Sequence, residues 1–301
     1  MAVLNSSAAQ THAKAAGEND AIAHAVIAPL QMRRARVCAS KFARKLPNSR
    51  MPALLEIVRF ADDLLRVGEI QDYPNALNGL QIENGGEVTK IGAAVDASTR
   101  TIEMALENGV DFLVVHHGLF WPGLRSVTGA LYRALKLALD HNLALYSAHL
   151  PLDLHPEVGN NALLAAGLGF EKTTPFLPLK GGPAGLLVET KLRRDELIEK
   201  LEKSLGAPVR CIGTGPMEIR RVGIVTGGAG GEIEAAAREG IDSYITGEAP
   251  HWAAVAAEEL GINLLLGGHY ATETFGVKAL AALLGARFGL AWLFLDHPTG
   301  L

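Results

Sequence analysis

Residues 90–118 read KIGAAVDASTRTIEMALENGVDFLVVHHG, and this stretch alternates two patterns of hydrophobic residues. KIGAAVDAS and DFLVVHHG are short apolar runs that end in polar residues, which predicts two buried strands. Between them, TRTIEMALENGV has an apolar face with helical spacing, formed by Ile102, Ala105 and Leu106. The stretch therefore predicts a strand–helix–strand unit whose two strands lie parallel in one sheet.

The same alternation continues after this unit. ALYRALKLALDHNL at 130–143 predicts a second helix, and ALYSAHLPLD at 144–153 predicts a third strand. Ligands of parallel sheets bind outside the carboxyl ends of the strands, so polar residues at those ends are candidate site residues. Asp96, the adjacent pair His116 and His117, and the segment 149–153 all lie at such ends.

A Pro- and Gly-rich stretch, TTPFLPLKGGPAG at 173–185, predicts a connection between domains. Strand and helix patterns alternate again after it, so we expect an α/β fold with two related three-layer-like domains around a central metal-binding cleft. The metal-binding domain is predicted at 51–178 plus 262–301, and the second domain at 179–261. The basic, aperiodic segment 1–50 is expected to be a disordered or over-extended N-terminal segment.

Composition limits the classes of function. The 301 residues are 49% hydrophobic and 20% charged, with a formal net charge of −4, so the chain is globular and shows no strong signal for nucleic-acid binding. Cys38 and Cys211 are far apart, which indicates a reducing compartment, and we expect the cytoplasm. The apolar stretch 279–296 is interrupted by Arg287 and glycines, so we predict no membrane span.

Imidazoles and carboxylates recur at the predicted strand ends and suggest a metal site. The residues are His116, His117, His149, Asp153, His269 and Glu273. His269 and Glu273 have the i, i+4 spacing that shares one helix face, if a helix begins near Ala271. Taken singly, each is more often an ordinary hydrogen-bonded residue. Together they form a mixed ligand set that suits Zn, Fe, Mn or Ni, and a metal offsets the cost of burying them.

Several motifs of residues 51–301 resemble the YbgI/Nif-three-like family, the dinuclear metal centre hexameric proteins, some of which are called GTP cyclohydrolase type 2. The motifs occur in the family's order along the folded part of the chain. They are NGLQI (78–82), VVHHGLFW (114–121), YSAHLPLD (146–153), GNN (159–161), VTGGAGG (225–231), DSYITGE (242–248) and GHYATE (268–273).

The resemblance implies two divalent metal ions and a toroidal homohexamer. The implied ligands are His116, His117, Asp153, His269 and Glu273, with His149 close to the site as an orienting group. Glu273 would bridge the ions, with His117 and Asp153 on one and His116 and His269 on the other. The family usually has H-T-N-x-D where this chain has HLPLD, so polar groups that would contact substrate are replaced by apolar ones.

The function that follows from this resemblance is a metal-dependent hydrolase of the GTP cyclohydrolase type 2 kind, acting on a nucleotide. Glu248, His149 and His251 are the candidate proton-transfer residues, although the segment TGEAPHW would serve equally well as a helix cap. Two alternatives stay open. The same site could store or deliver metal, or act as an interaction scaffold, without turnover. The glycine loop at 225–231 could bind a nucleotide phosphate, or could simply be a tight turn.

Overall fold

The computed structural model describes residues 51–179 and 182–301, and the predicted extension at 1–50 lies outside them. The fold is mixed α/β with two sheets, which confirms the predicted fold class. In the described part of the chain, no helix combines the length and the apolar character that a membrane span requires.

The first sheet has five strands, which are β1 (Gly79–Ile82), β2 (Lys90–Asp96), β3 (Phe112–His117), β4 (Ala144–Ser147) and β11 (Ala291–Phe294). Their order across the sheet is β1-β4-β3-β2-β11, and the centre is parallel. Only β1 is antiparallel, and it pairs with β4 at one edge. The parallel centre is buried on both faces, which explains why β2 and β3 are continuous apolar runs in the sequence.

The second sheet has six strands, which are β5 (Thr174–Leu179), β6 (Gly182–Arg193), β7 (Arg210–Ile212), β8 (Glu218–Ile224), β9 (Ser243–Thr246) and β10 (Asn263–Leu266). Their order is β5-β6-β8-β9-β10-β7. Strands β8, β9 and β10 are parallel, and the strands on either side of this trio are antiparallel to it.

The stretch 173–185, predicted to connect the domains, contains β5 and the beginning of β6, and these two strands pair antiparallel. Pro175 and Pro178 suggested a linker, yet both lie in β5, which is an edge strand. Proline is tolerated there because the edge of a sheet does not need every backbone N–H. Strands β5 and β10 both belong to the second sheet by hydrogen bonding.

Nine helices of the described residues cover the sheets. They are α1 (Leu54–Leu65), α2 (Thr99–Glu107), α3 (Gly129–Asp140), α4 (Leu150–Asp153), α5 (Asn160–Gly167), α6 (Arg194–Leu205), α7 (Ile233–Arg238), α8 (His251–Leu260) and α9 (His269–Phe288). One continuous apolar core contains Val114 of β3 together with Ile224 of β8 and Leu280 of α9. This shared core holds the two sheets in a fixed relation.

Helix α9 connects the two sheets and positions the site. It begins directly after β10 of the second sheet, and its body packs against β2 and β3 of the first. Its buried residues are distributed around the helix, as expected for a helix enclosed between layers. The carboxyl ends of β2, β3 and β4 therefore face those of β8, β9 and β10 across the start of α9.

Candidate metal centre

The five predicted ligands lie together where these strand ends meet. His116 and His117 are the last two residues of β3, and Asp153 is the last residue of α4. Helix α9 starts at His269 itself, rather than near Ala271 as predicted. Its first turn therefore includes His269, whose Nε2 lies 3.1 Å from Oε2 of Glu273.

Glu273 lies at the centre of the cluster, and its two carboxylate oxygens have different histidine neighbours. Its Oε1 is 3.5 Å from Nε2 of His116, which is also 3.5 Å from Oδ2 of Asp153. Its Oε2 is 3.5 Å from Nε2 of His117 and 3.1 Å from Nε2 of His269. The grouping implied by resemblance does not match these distances: His116 lies with Asp153, and His117 lies with His269.

The hydrogen bonds of the histidines direct a bare ring nitrogen at the cluster. Nδ1 of His116 bonds to the carbonyl of Ala148 at 2.8 Å, and Nδ1 of His117 bonds to Asp96 at 2.8 Å. Nδ1 of His269 bonds to Glu248 at 3.0 Å. Carbonyl and carboxylate oxygens only accept, so each Nδ1 carries the hydrogen, and in the neutral ring Nε2 keeps its lone pair. Such outer hydrogen bonds are typical of metal-binding histidines.

The two carboxylates are held in a comparable way. Oδ1 of Asp153 accepts a hydrogen bond of 2.7 Å from the amide of Asn160, which leaves Oδ2 directed at His116. The carbonyl oxygen of Asn160 accepts a 2.6 Å hydrogen bond from the backbone N–H of Gly276, one turn beyond Glu273. Asn160 is completely buried and thus connects the aspartate to the helix that carries the glutamate.

Two buried atoms of the cluster show that the donor set fits a cation. Nε2 of His116 and Oε2 of Glu273 are enclosed and have no hydrogen-bond partner among the described residues. Leaving such groups buried and unsatisfied is costly. Ligands at about 2.1 Å from a shared ion in tetrahedral geometry lie about 3.4 Å apart, close to the observed separations. These histidine and glutamate groups can therefore hold a metal ion.

The electrostatics of the cluster also favour a positive charge. Burial lowers the pKa of His116, but Asp153 and Glu273 outweigh it and raise that pKa well above the ordinary value. Burial lowers the pKa of His269 as well, yet Glu273 and Glu248 raise it to about 9. Burial alone would raise the pKa of Glu273, whereas its histidine neighbours hold it far below the usual range. The cluster thus binds protons readily, and metal ions compete for the same lone pairs.

His149, predicted as an orienting group, lies close enough to be a further ligand. It is nearly buried, and its ring centroid is 4.9 Å from that of His116. Ligand atoms of His116, His117 and His149 lie within 4.8 Å of one another. Nδ1 of His149 bonds to Asp72 at 2.9 Å, so its Nε2 is also available. The pKa of Asp72 is lowered, because hydrogen bonds from His149 and Asn78 outweigh the effect of burial.

The other two predicted proton-transfer residues lie in different places. Glu248 lines the same cavity as the cluster and touches it through His269. His251 is exposed at the start of α8 and lines a separate groove with Trp252 and Arg238. The structure does not bring His251 to the cluster.

In the glycine loop at 225–231, the backbone lies very close to the cluster. Gly227 has a φ of +73°, and a Cβ there would lie 2.1 Å from Oε1 of Glu273. A Cβ on Gly247 would lie 2.7 Å from the carbonyl oxygen of Gly227. The following helix α7 has only six residues and starts after a short 3-10 turn. Close packing therefore explains Gly227, which lies against Glu273, and Gly247, which lies against Gly227.

A cavity of about 940 Å³ opens beside the cluster. It reaches from the histidines to the loop after β3 and to the residues that follow β8 and β9. The volume lies within the range of small-molecule sites, which is about 300–1,000 Å³. Its wall contains exposed aromatic side chains, Tyr73 and Trp121, and the arginines Arg100 and Arg125.

Sequence reasoning missed two residues that organise the site. Asp72 lies in an irregular segment and bonds to His149, to Asn78 and to the backbone N–H of Leu150. No local pattern marks it, because its partners lie up to 78 residues away. Asn160 belongs to the GNN motif, so the motif indicated its importance but not its bond to Asp153.

Comparison with known proteins gives a consistent result. The family model Duf34/NIF3 (NGG1p interacting factor 3) matches residues 52–299. A protein of Deinococcus radiodurans named GTP cyclohydrolase 1 type 2 homolog is 42% identical over 250 residues, which cover 82% of this chain and 94% of that protein.

Two solved structures extend the comparison to the fold. The crystal structure of TTHA1606 from Thermus thermophilus has a TM-score of 0.76 at 41% identity, covering 83% of this chain and 100% of that one. The structure of protein ybgI has a TM-score of 0.77 at 36% identity, with the same coverage.

Proposed function

This chain belongs to the Duf34/NIF3 family, and from that premise we propose that it binds two divalent metal ions and is a metal-dependent hydrolase of the GTP cyclohydrolase type 2 kind. The observation that carries the proposal is the central carboxylate of Glu273. One oxygen lies 3.5 Å from Nε2 of His116, which in turn lies 3.5 Å from Asp153, and the other oxygen lies near His117 and His269. A carboxylate with ligands on both sides is suited to bridge two ions.

Support for the reaction class comes from relatives named GTP cyclohydrolase 1 type 2 homolog and from the open cavity. Divalent ions held by these groups would lower the pKa of water and supply a nucleophile at neutral pH. The proposed substrate is a guanine nucleotide, and the bond broken lies at the purine ring carbon between two nitrogens. The cavity of about 940 Å³ beside the cluster has room for such a ligand.

Two groups of the chain are suited to hold or move a proton in this reaction. Glu248 accepts the hydrogen of His269 through Oε1, and its side chain is 45% exposed, so Oε2 can reach a ligand in the cavity. His149 is paired with Asp72 through Nδ1, which leaves its Nε2 available, and one of its ring nitrogens lies within 4.8 Å of ligand atoms of His116 and His117. A histidine paired with a carboxylate is a common general base, because the carboxylate stabilises its protonated form.

The proposal is tested with the metal-free protein, reloaded separately with Zn²⁺, Mn²⁺, Fe²⁺ or Ni²⁺. Bound metal is measured by elemental analysis and GTP consumption by chromatography. We expect close to two ions per chain and turnover with at least one metal. His117→Ala should lose metal and turnover together, whereas the matched control His141→Ala, an exposed histidine outside the cavity, should lose neither.

The outcomes separate the alternatives. Two tightly bound ions with no turnover of GTP, GDP or other nucleotides would refute the hydrolase and support metal storage or delivery. Unchanged turnover in His117→Ala would exclude catalysis by this cluster. A stoichiometry of one ion would remove the bridging role of Glu273.

We also propose that the chain assembles as a homohexamer in the cytoplasm. Support comes from the family motifs, from the separated cysteines and from apolar side chains such as Leu124 that are fully exposed in a single chain. Light scattering coupled to size-exclusion chromatography measures the assembly, and a monomeric mass would contradict it.

A further inference from the structure

Two aromatic side chains form one wall of the cavity beside the cluster. Trp121 lies in the loop after β3 and Tyr73 in the segment before β1, and both line the cavity. Their ring centroids are 6.1 Å apart at an interplanar angle of 73°. Tyr73 is 61% exposed and Trp121 is 36% exposed, although large aromatic residues are usually well buried. We name these two residues the aromatic wall.

The aromatic wall is held at a fixed distance from the ligand histidines. The centroid of Trp121 is 4.6 Å from that of His149 and 5.4 Å from that of His117. Tyr73 also contacts His149, at 6.1 Å between ring centroids. One side of Trp121 is thus occupied by the rings of the cluster, while a substantial part of its surface faces the cavity. A flat ligand resting on this surface would be next to the metal ions.

A positive charge lies on the same loop as Trp121. Arg125 is exposed, lines the cavity and makes no ion pair with any described residue. Arg100, the other arginine of the lining, is already paired with Glu103 at 3.4 Å and Glu107 at 3.1 Å. The charge of Arg125 is therefore available for an anion, and a guanidinium suits the geometry of phosphate oxygens.

We propose that the indole of Trp121 stacks the planar nitrogen heterocycle of the ligand, that Tyr73 borders this heterocycle edge-on, and that Arg125 binds the anionic chain of the ligand. This arrangement selects a nucleotide over a free phosphate or a small amide. It deepens the function proposed above and rests on it for the identity of the ligand. Stacking on tryptophan accepts any purine, so the aromatic wall contributes affinity and orientation, while the cluster determines which ring atom is approached.

The inference is tested by calorimetric binding of guanosine, GTP and inorganic triphosphate to the metal-loaded protein. Trp121→Ala should lower the affinity for guanosine and for GTP by about 10-fold. Trp121→Phe should keep most of the wild-type affinity, because phenylalanine retains a stacking face. Arg125→Ala should lower the affinity for GTP and for triphosphate by about 5-fold at low salt, and it should leave the affinity for guanosine unchanged. The matched control is Trp252→Ala, an exposed tryptophan in the separate groove.

Metal content is measured on every variant, because Trp121 also packs on two histidines of the cluster. Weaker guanosine binding at unchanged metal content supports stacking. Wild-type affinity in Trp121→Ala, or a loss that excess metal restores, overturns it, as does a wild-type protein that binds neither guanosine nor GTP. If the stacking pattern holds but no nucleotide is turned over, the aromatic wall stands and the proposed hydrolase fails. If nucleotide turnover persists and affinity is unchanged in Trp121→Ala, the proposed hydrolase stands and stacking on Trp121 is refuted.

Discussion

Replacing Asn160 by aspartate should disable the cluster without altering its shape. The Asn160 amide donates to Oδ1 of Asp153 at 2.7 Å, and its carbonyl accepts from Gly276 at 2.6 Å. Asn160→Asp keeps the acceptor for Gly276 and places a second carboxylate oxygen against Asp153. Two buried carboxylates at this separation repel each other, so one of them binds a proton more strongly. Asp153 then becomes a weaker and less well oriented metal ligand.

The magnitude follows from the role of the lost bond. Groups that orient a metal ligand typically change metal affinity by about 10- to 100-fold when they are removed, and we expect a loss in that range. A hydrogen bond to a charged group also contributes about 1.5–3 kcal/mol to stability, so the metal-free variant should unfold more easily by about that amount. Asn160→Ala should show a similar loss of affinity and an additional loss of stability, because Gly276 also loses its acceptor.

Competition with a chelator of known zinc affinity measures the first effect, and urea unfolding of the metal-free protein measures the second. Asn108→Ala is the matched control, because Asn108 is exposed and its side-chain amide donates to the carbonyl of Met104 within helix α2. A zinc affinity of Asn160→Asp within about twofold of wild type would refute the reasoning, because loss of an orienting hydrogen bond is expected to lower metal affinity by about 10-fold or more. Such a result would show that Asp153 either needs no orientation or does not bind the metal.

The remaining predictions concern the same cluster. Asp96→Asn should weaken zinc binding by about 10-fold, because it weakens the hydrogen bond that fixes the tautomer of His117; chelator competition checks this, and equal affinity would contradict it. Gly227→Ala should lower the thermal midpoint of the metal-free protein and displace Glu273, because the φ of +73° and the 2.1 Å approach leave no room for a Cβ; bound-metal analysis should show fewer ions. The metal-free protein should lose stability as pH rises. Burial lowers the pKa of His269, but neighbouring carboxylates raise it from 6.5 to about 9, so its stabilisation is complete below pH 6.5 and is lost through pH 9. Thermal unfolding in chelator at several pH values measures this, and a midpoint that rises over that range would exclude it.

The sequence alone determined the elements and the side of the sheet that carries the site. The apolar periods of 90–118 predict β2, α2 and β3, and the structure has all three. A strand period of two and a helix period of 3.6 are local properties, so they are readable without knowing the fold. The same local reading placed His116 and His117 at a carboxyl end, where parallel sheets collect their ligands.

Tertiary structure alone decided which side chains meet. The pairing of His116 with Asp153, and of His117 with His269, depends on how α4 and the start of α9 pack against β3. The bond from His149 to Asp72 spans 77 residues, and the bond from Gly276 to Asn160 spans 116. The separation of His251 from the site, and the edge position of the proline-containing β5, are likewise properties of packing. Contacts between distant segments depend on where the whole chain places those segments, and no short stretch of sequence contains that information.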